Sequence, residues 1–248
     1  MNERFLPLKN IVKKILGLLP FAVTRNQRYD RETVQVLQRV CRTDSNCVDV
    51  GTHRGEILDL MRRQSPRGHH FGFEPLPPLF ARLRQRYGTE HSVHIFPYAL
   101  SDKAGTSAFN WVTSNPAYSG LQKRRYDRAH EEEQNITVET RRLDDVLQSY
   151  GLPIHLMKID VEGGELGVLR GARETLRRFR PVVIFEFGLG GSDVYGSTPE
   201  LIWEFFGGIG YHISLMRRWL DEQPPFSLEE LGDQFHERRN YYFIAYPQ

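Results

Sequence analysis

From Cys47 onward, short apolar runs alternate with stretches of helical periodicity. Residues 47–50, 70–73 and 93–96 are compact apolar runs, which predicts buried strands. Residues 56–63 and 76–87 between them have helical spacing, and the second stretch begins among prolines, which a first helical turn tolerates. Residues 154–159 and 182–187 repeat the strand pattern. Helical patterns lie at 143–150, at 166–179 with Gly171 interrupting, and at 199–206; two last strands are expected at 211–215 and 241–246. This rhythm predicts an α/β fold with one sheet of about seven strands.

One stretch breaks the rhythm. Residues 106–111 and 136–141 predict an inserted β-hairpin, and the segment between them, VTSNPAYSGLQKRRYDRAHEEEQN, is polar and aperiodic. A connection this long inside a compact domain is a lid, a binding loop or a disordered segment. Residues 112–134 are therefore expected to form a substrate loop within a main domain at 45–248. Residues 1–44 are expected to form a helical lead-in. There Phe5, Leu8, Ile11, Val12, Ile15, Leu16 and Leu19 fall near helical spacing, with Lys9, Lys13 and Lys14 among them. Three readings of residues 5–19 stay open: a helix packed on the domain or on a second copy in a homodimer, a basic amphipathic helix at an anionic membrane surface, or a disordered leader. The segment lacks a small-residue cleavage site and is too basic in its middle for a signal peptide.

Composition narrows the function classes. The chain has 248 residues, and its 33 basic residues against 31 acidic ones leave a net charge of +2, which does not indicate nucleic acid. Paired arginines such as Arg62-Arg63 and Arg217-Arg218 are scattered rather than striped. The two cysteines, Cys41 and Cys47, form no zinc pattern and no disulfide framework. No apolar run is long enough to span a bilayer. A cytoplasmic protein is expected, with peripheral contact at the inner membrane face left open through residues 5–19.

The chemistry concentrates at three strand ends. Ligands of open parallel sheets lie beyond the carboxyl ends of the strands. In VDVGTHRG, Gly51 lets the backbone bend beside a ligand, and Gly55 permits tight packing at the helix start. A dinucleotide fingerprint requires a further glycine two places after the first. His53 stands there, where a pyrophosphate would meet a side chain. At the end of the second strand, in FGFEP, Glu74 is placed to accept hydrogen bonds from both hydroxyls of a ribose, with Pro75 and Leu76 against an adenine face. A ribose without a pyrophosphate favours S-adenosylmethionine over NAD. In LMKIDVEGGE, Asp160, Glu162 and Glu165 crowd three carboxylates into six residues, which requires a cation. A sulfonium or ammonium group, Lys158 or a divalent metal could each supply it. Glu165 alone also reads as a helix-start acid.

CVDVGTHRGE, FGFEPLPPLFARLRQRY, FPYALSDKAG, TRRLDDVL, LMKIDVEGGELGVLRGA and PVVIFEF, in that order, resemble the FkbM family of S-adenosylmethionine-dependent methyltransferases. The resemblance covers residues 46–187. It implies the Rossmann-like class I methyltransferase fold, a sheet of order 3-2-1-4-5-7-6 with its last strand antiparallel. It also implies O-methylation of a sugar hydroxyl in a glycan or glycosylated metabolite. Thr52-His53 stands where the family often has Ala-Asn. The implied cofactor-binding set is Asp49, Gly51, Thr52, His53, Gly55, Glu74, Pro75, Ala99 and Asp160.

A hydroxyl acceptor needs help in losing its proton, and Asp160, Glu162 and Glu186 are the catalytic candidates. Asp160 and Glu162 would also be the ligands of any metal. His53 is a further candidate base. Tyr118, Arg124 and Arg125 in the insertion are the expected acceptor contacts, since aromatic and guanidinium groups suit a sugar or its phosphate. Alternatives are a non-sugar secondary-metabolite O-methyltransferase and a nucleic-acid methyltransferase. The latter is opposed by the absence of both an Asn-Pro-Pro-Tyr type motif and a basic stripe.

Overall fold

The structure, a computed structural model, describes residues 24–126 and 130–248. The amphipathic segment 5–19 lies outside the described residues. The first described helix, α1 (Arg25–Val40), starts at a reciprocal cap: the Thr24 side chain accepts from the Gln27 N–H, and the Gln27 side chain accepts from the Thr24 N–H.

Seven strands form the main sheet. They are β1 (Cys47–Val50), β2 (His70–Phe73), β3 (Val93–Phe96), β7 (Leu156–Ile159), β8 (Val182–Glu186), β9 (Tyr211–Ser214) and β10 (Tyr242–Pro247). Their order is β3-β2-β1-β7-β8-β10-β9. With the strands of a second, smaller sheet left out of the count, this is the expected 3-2-1-4-5-7-6, and β10 runs antiparallel to both its neighbours. Helices α2 (Glu56–Gln64) and α3 (Pro77–Tyr87) make the first crossovers.

β1 and β7 are buried along their whole length, as parallel strands covered on both faces must be. Alternation sends Val48, Val50, Met157 and Ile159 into the larger core and Cys47 and Leu156 into the other, where Tyr29, Val36 and Leu37 of α1 and Leu58 and Met61 of α2 pack. By the same alternation Asp49 and Lys158 share the α1–α2 face. They are direct register partners, as are Glu186 and Tyr242 two strands further on. The sheet thus carries a polar row across an otherwise apolar face.

The expected hairpin is part of a three-stranded sheet. β5 (Gly105–Val112) and β6 (Glu133–Arg141) pair antiparallel, and β4 (Tyr98–Leu100) runs parallel to β6. Pro97, which has no N–H to donate, separates β4 from β3 and so divides one apolar run between two sheets. The stretch 143–150 is helical only at α4 (Leu143–Leu147), and 166–179 is two helices, α5 (Glu165–Gly171) and α6 (Arg173–Phe179). α7 (Pro199–Gly207) follows as expected. Helices α8 (Met216–Leu220) and α9 (Leu228–His236) were not legible as periodic stretches, although α9 opens on a Ser227–Glu230 capping box.

Candidate functional site at the strand ends

The carboxyl ends of β1, β2, β7 and β8 bring Gly51, Glu74, Asp160 and Glu186 to one edge of the sheet. The β1 turn is pinned to β2, where the N–H groups of Gly51 and Thr52 both donate to the Phe73 carbonyl at 3.0 Å. Gly51 has φ +79°, and a Cβ there would stand 1.9 Å from the Asp160 carbonyl oxygen. Close approach of β7 therefore demands this glycine, as much as any ligand does. Gly55 meets Tyr87 of α3 in the same way, with a Cβ 2.7 Å from the Tyr87 hydroxyl. It does not line the cavity described next. Its place is helix packing, which corrects the expectation that it contacts a cofactor.

A cavity of about 240 Å³ opens over this edge. Asp49, Gly51, Thr52, His53, Glu74, Pro75, Ala99 and Asp160, the remaining expected cofactor residues, all line it. Glu74 is buried, and each of its oxygens accepts a backbone N–H, Oε2 from His53 (2.8 Å) and Oε1 from Leu76 (2.9 Å). Burial nevertheless pushes its carboxyl up to about 7. Asp49 is buried, and among the described residues neither of its oxygens has a hydrogen-bond partner. Burial raises it to about 6, against the pull of the Lys158 ammonium. The His53 imidazole is held below its usual range by burial, and its backbone is left-handed at φ +51°. Leu76 and Ala99 join Phe109 of β5 in a third apolar cluster, so the small sheet forms one wall of the cavity.

A second cavity, of about 490 Å³, shares Ala117, Asp160 and Glu162 with the first. Glu186, Tyr118, Arg124, Tyr241 and Tyr242 line it too. At the junction, oxygens of Asp160, Glu162 and Glu186 all lie within 4.8 Å of one another, a donor set that suits a hard cation. Compensation is already in place. Lys158 Nζ donates to Asp160 Oδ2 at 2.8 Å, and the Tyr242 hydroxyl donates to the same oxygen. Arg124 pairs with Glu162.

Burial alone would raise Asp160. The Lys158 charge and hydrogen bonds from Glu186, Lys158 and Tyr242 outweigh it and bring the carboxyl down to about 2. Burial and the Asp160 charge drive the Glu186 carboxyl well upward. Glu165 lies outside the cluster of three, although its charge still acts on Glu186. Its Oε1 accepts the N–H groups of Val161 and Gly163, capping the turn before α5.

In the insertion, Tyr118 and Arg124 face the second cavity, with the guanidinium 5.0 Å from the Tyr118 ring centre. Arg125 lines neither cavity. It pairs with Asp193, and its N–H donates to the Gly190 carbonyl, so it ties the insertion to the loop after β8 rather than facing an acceptor. Residues 127–129 lie outside the described residues. Sequence reasoning missed Tyr195, whose hydroxyl accepts the Gln122 N–H over the first cavity, and it missed Tyr242. Their signal is tertiary: both are ordinary aromatics until the loop after β8 and β10 are folded back onto β7.

The family model described as the methyltransferase FkbM domain matches residues 49–232. This chain belongs to the FkbM methyltransferase family. It is an enzyme of the S-adenosylmethionine-dependent methyltransferase class. The 2-O-methyltransferase NoeI of Sinorhizobium fredii is 30% identical over 174 residues, spanning 63% of this chain and 68% of that protein. The hexuronic acid methyltransferase AglP of Haloferax volcanii is 28% identical over 162 residues, spanning 64% and 63%. The crystal structure of a methyltransferase FkbM from Methylobacillus flagellatus superimposes with a TM-score of 0.50 at 15% identity. It matches 83% of this chain but 44% of that one, and it supports the fold alone. Among the described residues no helix is long and apolar enough to cross a membrane.

Proposed function

We propose that this chain methylates a hydroxyl of a sugar, with the cofactor in the first cavity and the acceptor in the second. The observation that carries the reading is the pair Asp160 and Glu162, which lines both cavities where a methyl donor in the first would meet a hydroxyl in the second. The printed activities of two relatives, a 2-O-methyltransferase and a hexuronic acid methyltransferase, point the same way.

The residues of the first cavity fit the cofactor. The unpartnered Asp49 carboxylate suits an ammonium group, Glu74 retains lone pairs for ribose hydroxyls, and Leu76, Ala99 and Phe109 offer an apolar wall to a base. The cofactor supplies an electrophilic methyl group; alignment and exclusion of water fall to the protein. Asp160 is ionised and anchored through one oxygen by Lys158 and Tyr242. Its other oxygen and Glu186 form a unit that takes the acceptor's proton as the new carbon–oxygen bond forms. Glu162, neutralised by Arg124, orients the acceptor beside that unit. Lys158, Tyr242 and Arg124 already offset the charge of this centre, so a metal is not needed to hold it together. Treatment with a chelator is expected to leave turnover unchanged, and reversible loss of activity would restore the metal.

Incubation with isotope-labelled S-adenosylmethionine and a panel of glycosides and phenolic hydroxyl compounds tests the reading. Label is expected in sugar products. Transfer confined to non-sugar hydroxyls would overturn it.

A further inference from the structure

The second cavity is lined by groups of both charges. Asp160 and Glu162 line it where it meets the first cavity, with Glu186 beside them, and the exposed Arg25 and Arg238 line it as well. Arg25 opens α1, and its Nη1 donates to the Arg238 carbonyl at 3.2 Å. The two segments are locked together beneath these side chains. Asn240 Oδ1 accepts from Arg28 (2.7 Å) and from the Tyr29 hydroxyl (2.9 Å), and the Tyr241 hydroxyl donates to Asn26. Among the described residues neither guanidinium has a carboxylate partner, whereas Arg124 in the same cavity is paired with Glu162.

The backbone singles out Arg238. It follows the end of α9 at φ +54°, a left-handed position that favours glycine. Five described non-glycine residues take such a φ. His53 and Glu162 line the cavities, Arg180 donates to the carbonyls of Ile209 and Gly210, and Glu222 pairs with Arg39. In each of those four the side chain does something that a glycine could not. Arg238 has the same unfavourable backbone, and among the described residues its side chain has no ion-pair or hydrogen-bond partner.

Resting on the sugar-hydroxyl reading, we infer that the acceptor carries an anionic group, a carboxylate or a phosphate, bound between Arg25 and Arg238. Lys158 and Arg124 are already spent on the carboxylates and leave an anion no free cation there, whereas two guanidinium groups without a carboxylate partner among the described residues attract it elsewhere in the same cavity. The charges therefore also set orientation: the methylated hydroxyl sits at the acidic pole, and the anionic substituent lies away from it on the sugar. This separation lets an acidic centre that must take up a proton work on a negatively charged substrate.

The test uses the full chain saturated with S-adenosylhomocysteine. Binding is measured by calorimetry for glucuronate, galacturonate, glucose 1-phosphate and galactose 1-phosphate, each against its neutral methyl glycoside. At least one anionic sugar is expected to bind roughly ten-fold more tightly than its neutral counterpart, the scale of a charge-assisted hydrogen bond. That preference should vanish in the Arg25→Ala/Arg238→Ala variant and return in part in Arg25→Lys/Arg238→Lys, with thermal midpoints confirming that both are folded. Uronates leading would identify a carboxylate, and sugar phosphates a phosphate. Equal binding of charged and neutral sugars, or a preference that survives in the double alanine variant, overturns the inference. If neutral sugars are methylated nonetheless, the sugar reading stands without it. If no sugar binds and non-sugar hydroxyls are methylated, both fall together.

Discussion

The two cavities meet at the same carboxylates but are built from different kinds of chain. The first takes its polar groups from adjacent strand ends, β1, β2 and β7, and is closed on one wall by the small sheet and the start of the insertion. The second is assembled from the start of α1, the insertion, the loop after β8 and the segment before β10, pieces more than 200 residues apart in the extreme. Strand ends of a parallel sheet have a fixed geometry, so one cofactor can be gripped by few residues in a fixed rhythm. Loops and termini can change without disturbing that rhythm. On the proposed reading, a fixed methyl-donor site faces an adaptable acceptor site, with Asp160 and Glu162 between them.

The largest expected effect strikes the junction. Asp160→Asn should lower turnover by about 10²–10⁴-fold, the usual worth of a positioned proton acceptor, while S-adenosylhomocysteine affinity changes only a few-fold. Loss of cofactor binding in step with turnover would place Asp160 in the first cavity alone. Next, Glu74→Ala should weaken S-adenosylhomocysteine roughly ten- to hundred-fold through lost charge-assisted bonds, as read by calorimetry, with acceptor binding untouched. A variant that bound the product normally would remove Glu74 from the ribose site.

A smaller effect follows from pH. Ribose hydroxyls and an ammonium group donate, so they favour ionised Glu74 and Asp49, whose folded-state carboxyls are pushed up to about 7 and about 6 by burial. Affinity for S-adenosylhomocysteine is therefore fully present above about pH 7 and lost as pH falls, by up to about ten-fold per unit for each group below its midpoint. A flat profile between pH 8 and pH 5 would contradict that. The smallest effect is in Tyr242→Phe, which removes one donor from Asp160. Turnover should fall by no more than about ten-fold, with the acid limb of its pH profile moved upward as Asp160 loses support. A purely structural tyrosine would lower stability and leave the profile in place.

The same contrast explains what the sequence revealed. Gly51, Glu74 and Asp160 were legible because each closes a short apolar run, and Asp49 because it is an acid inside such a run; a parallel sheet turns that local pattern into a shared edge. Glu165 was legible as a helix-start acid for the same local reason. Gly55 and Arg125 look like neighbours of the site in sequence, yet the first packs on Tyr87 and the second pairs with Asp193. Side-chain direction at a turn and within a loop is settled by tertiary packing, which no spacing encodes. Tyr242 and Arg238 reach the second cavity from the far end of the chain because β10 inserts between β8 and β9. Strand order of that kind came from the family resemblance, not from periodicity.

The most direct measurement of the central claim is a crystal structure with S-adenosylhomocysteine bound. The ribose is expected on Glu74, the amino group on Asp49, and the sulfur facing the opening between Ala117 and Glu162 into the second cavity. A compound lodged in the second cavity, or one whose sulfur faces away from Asp160, would contradict the account.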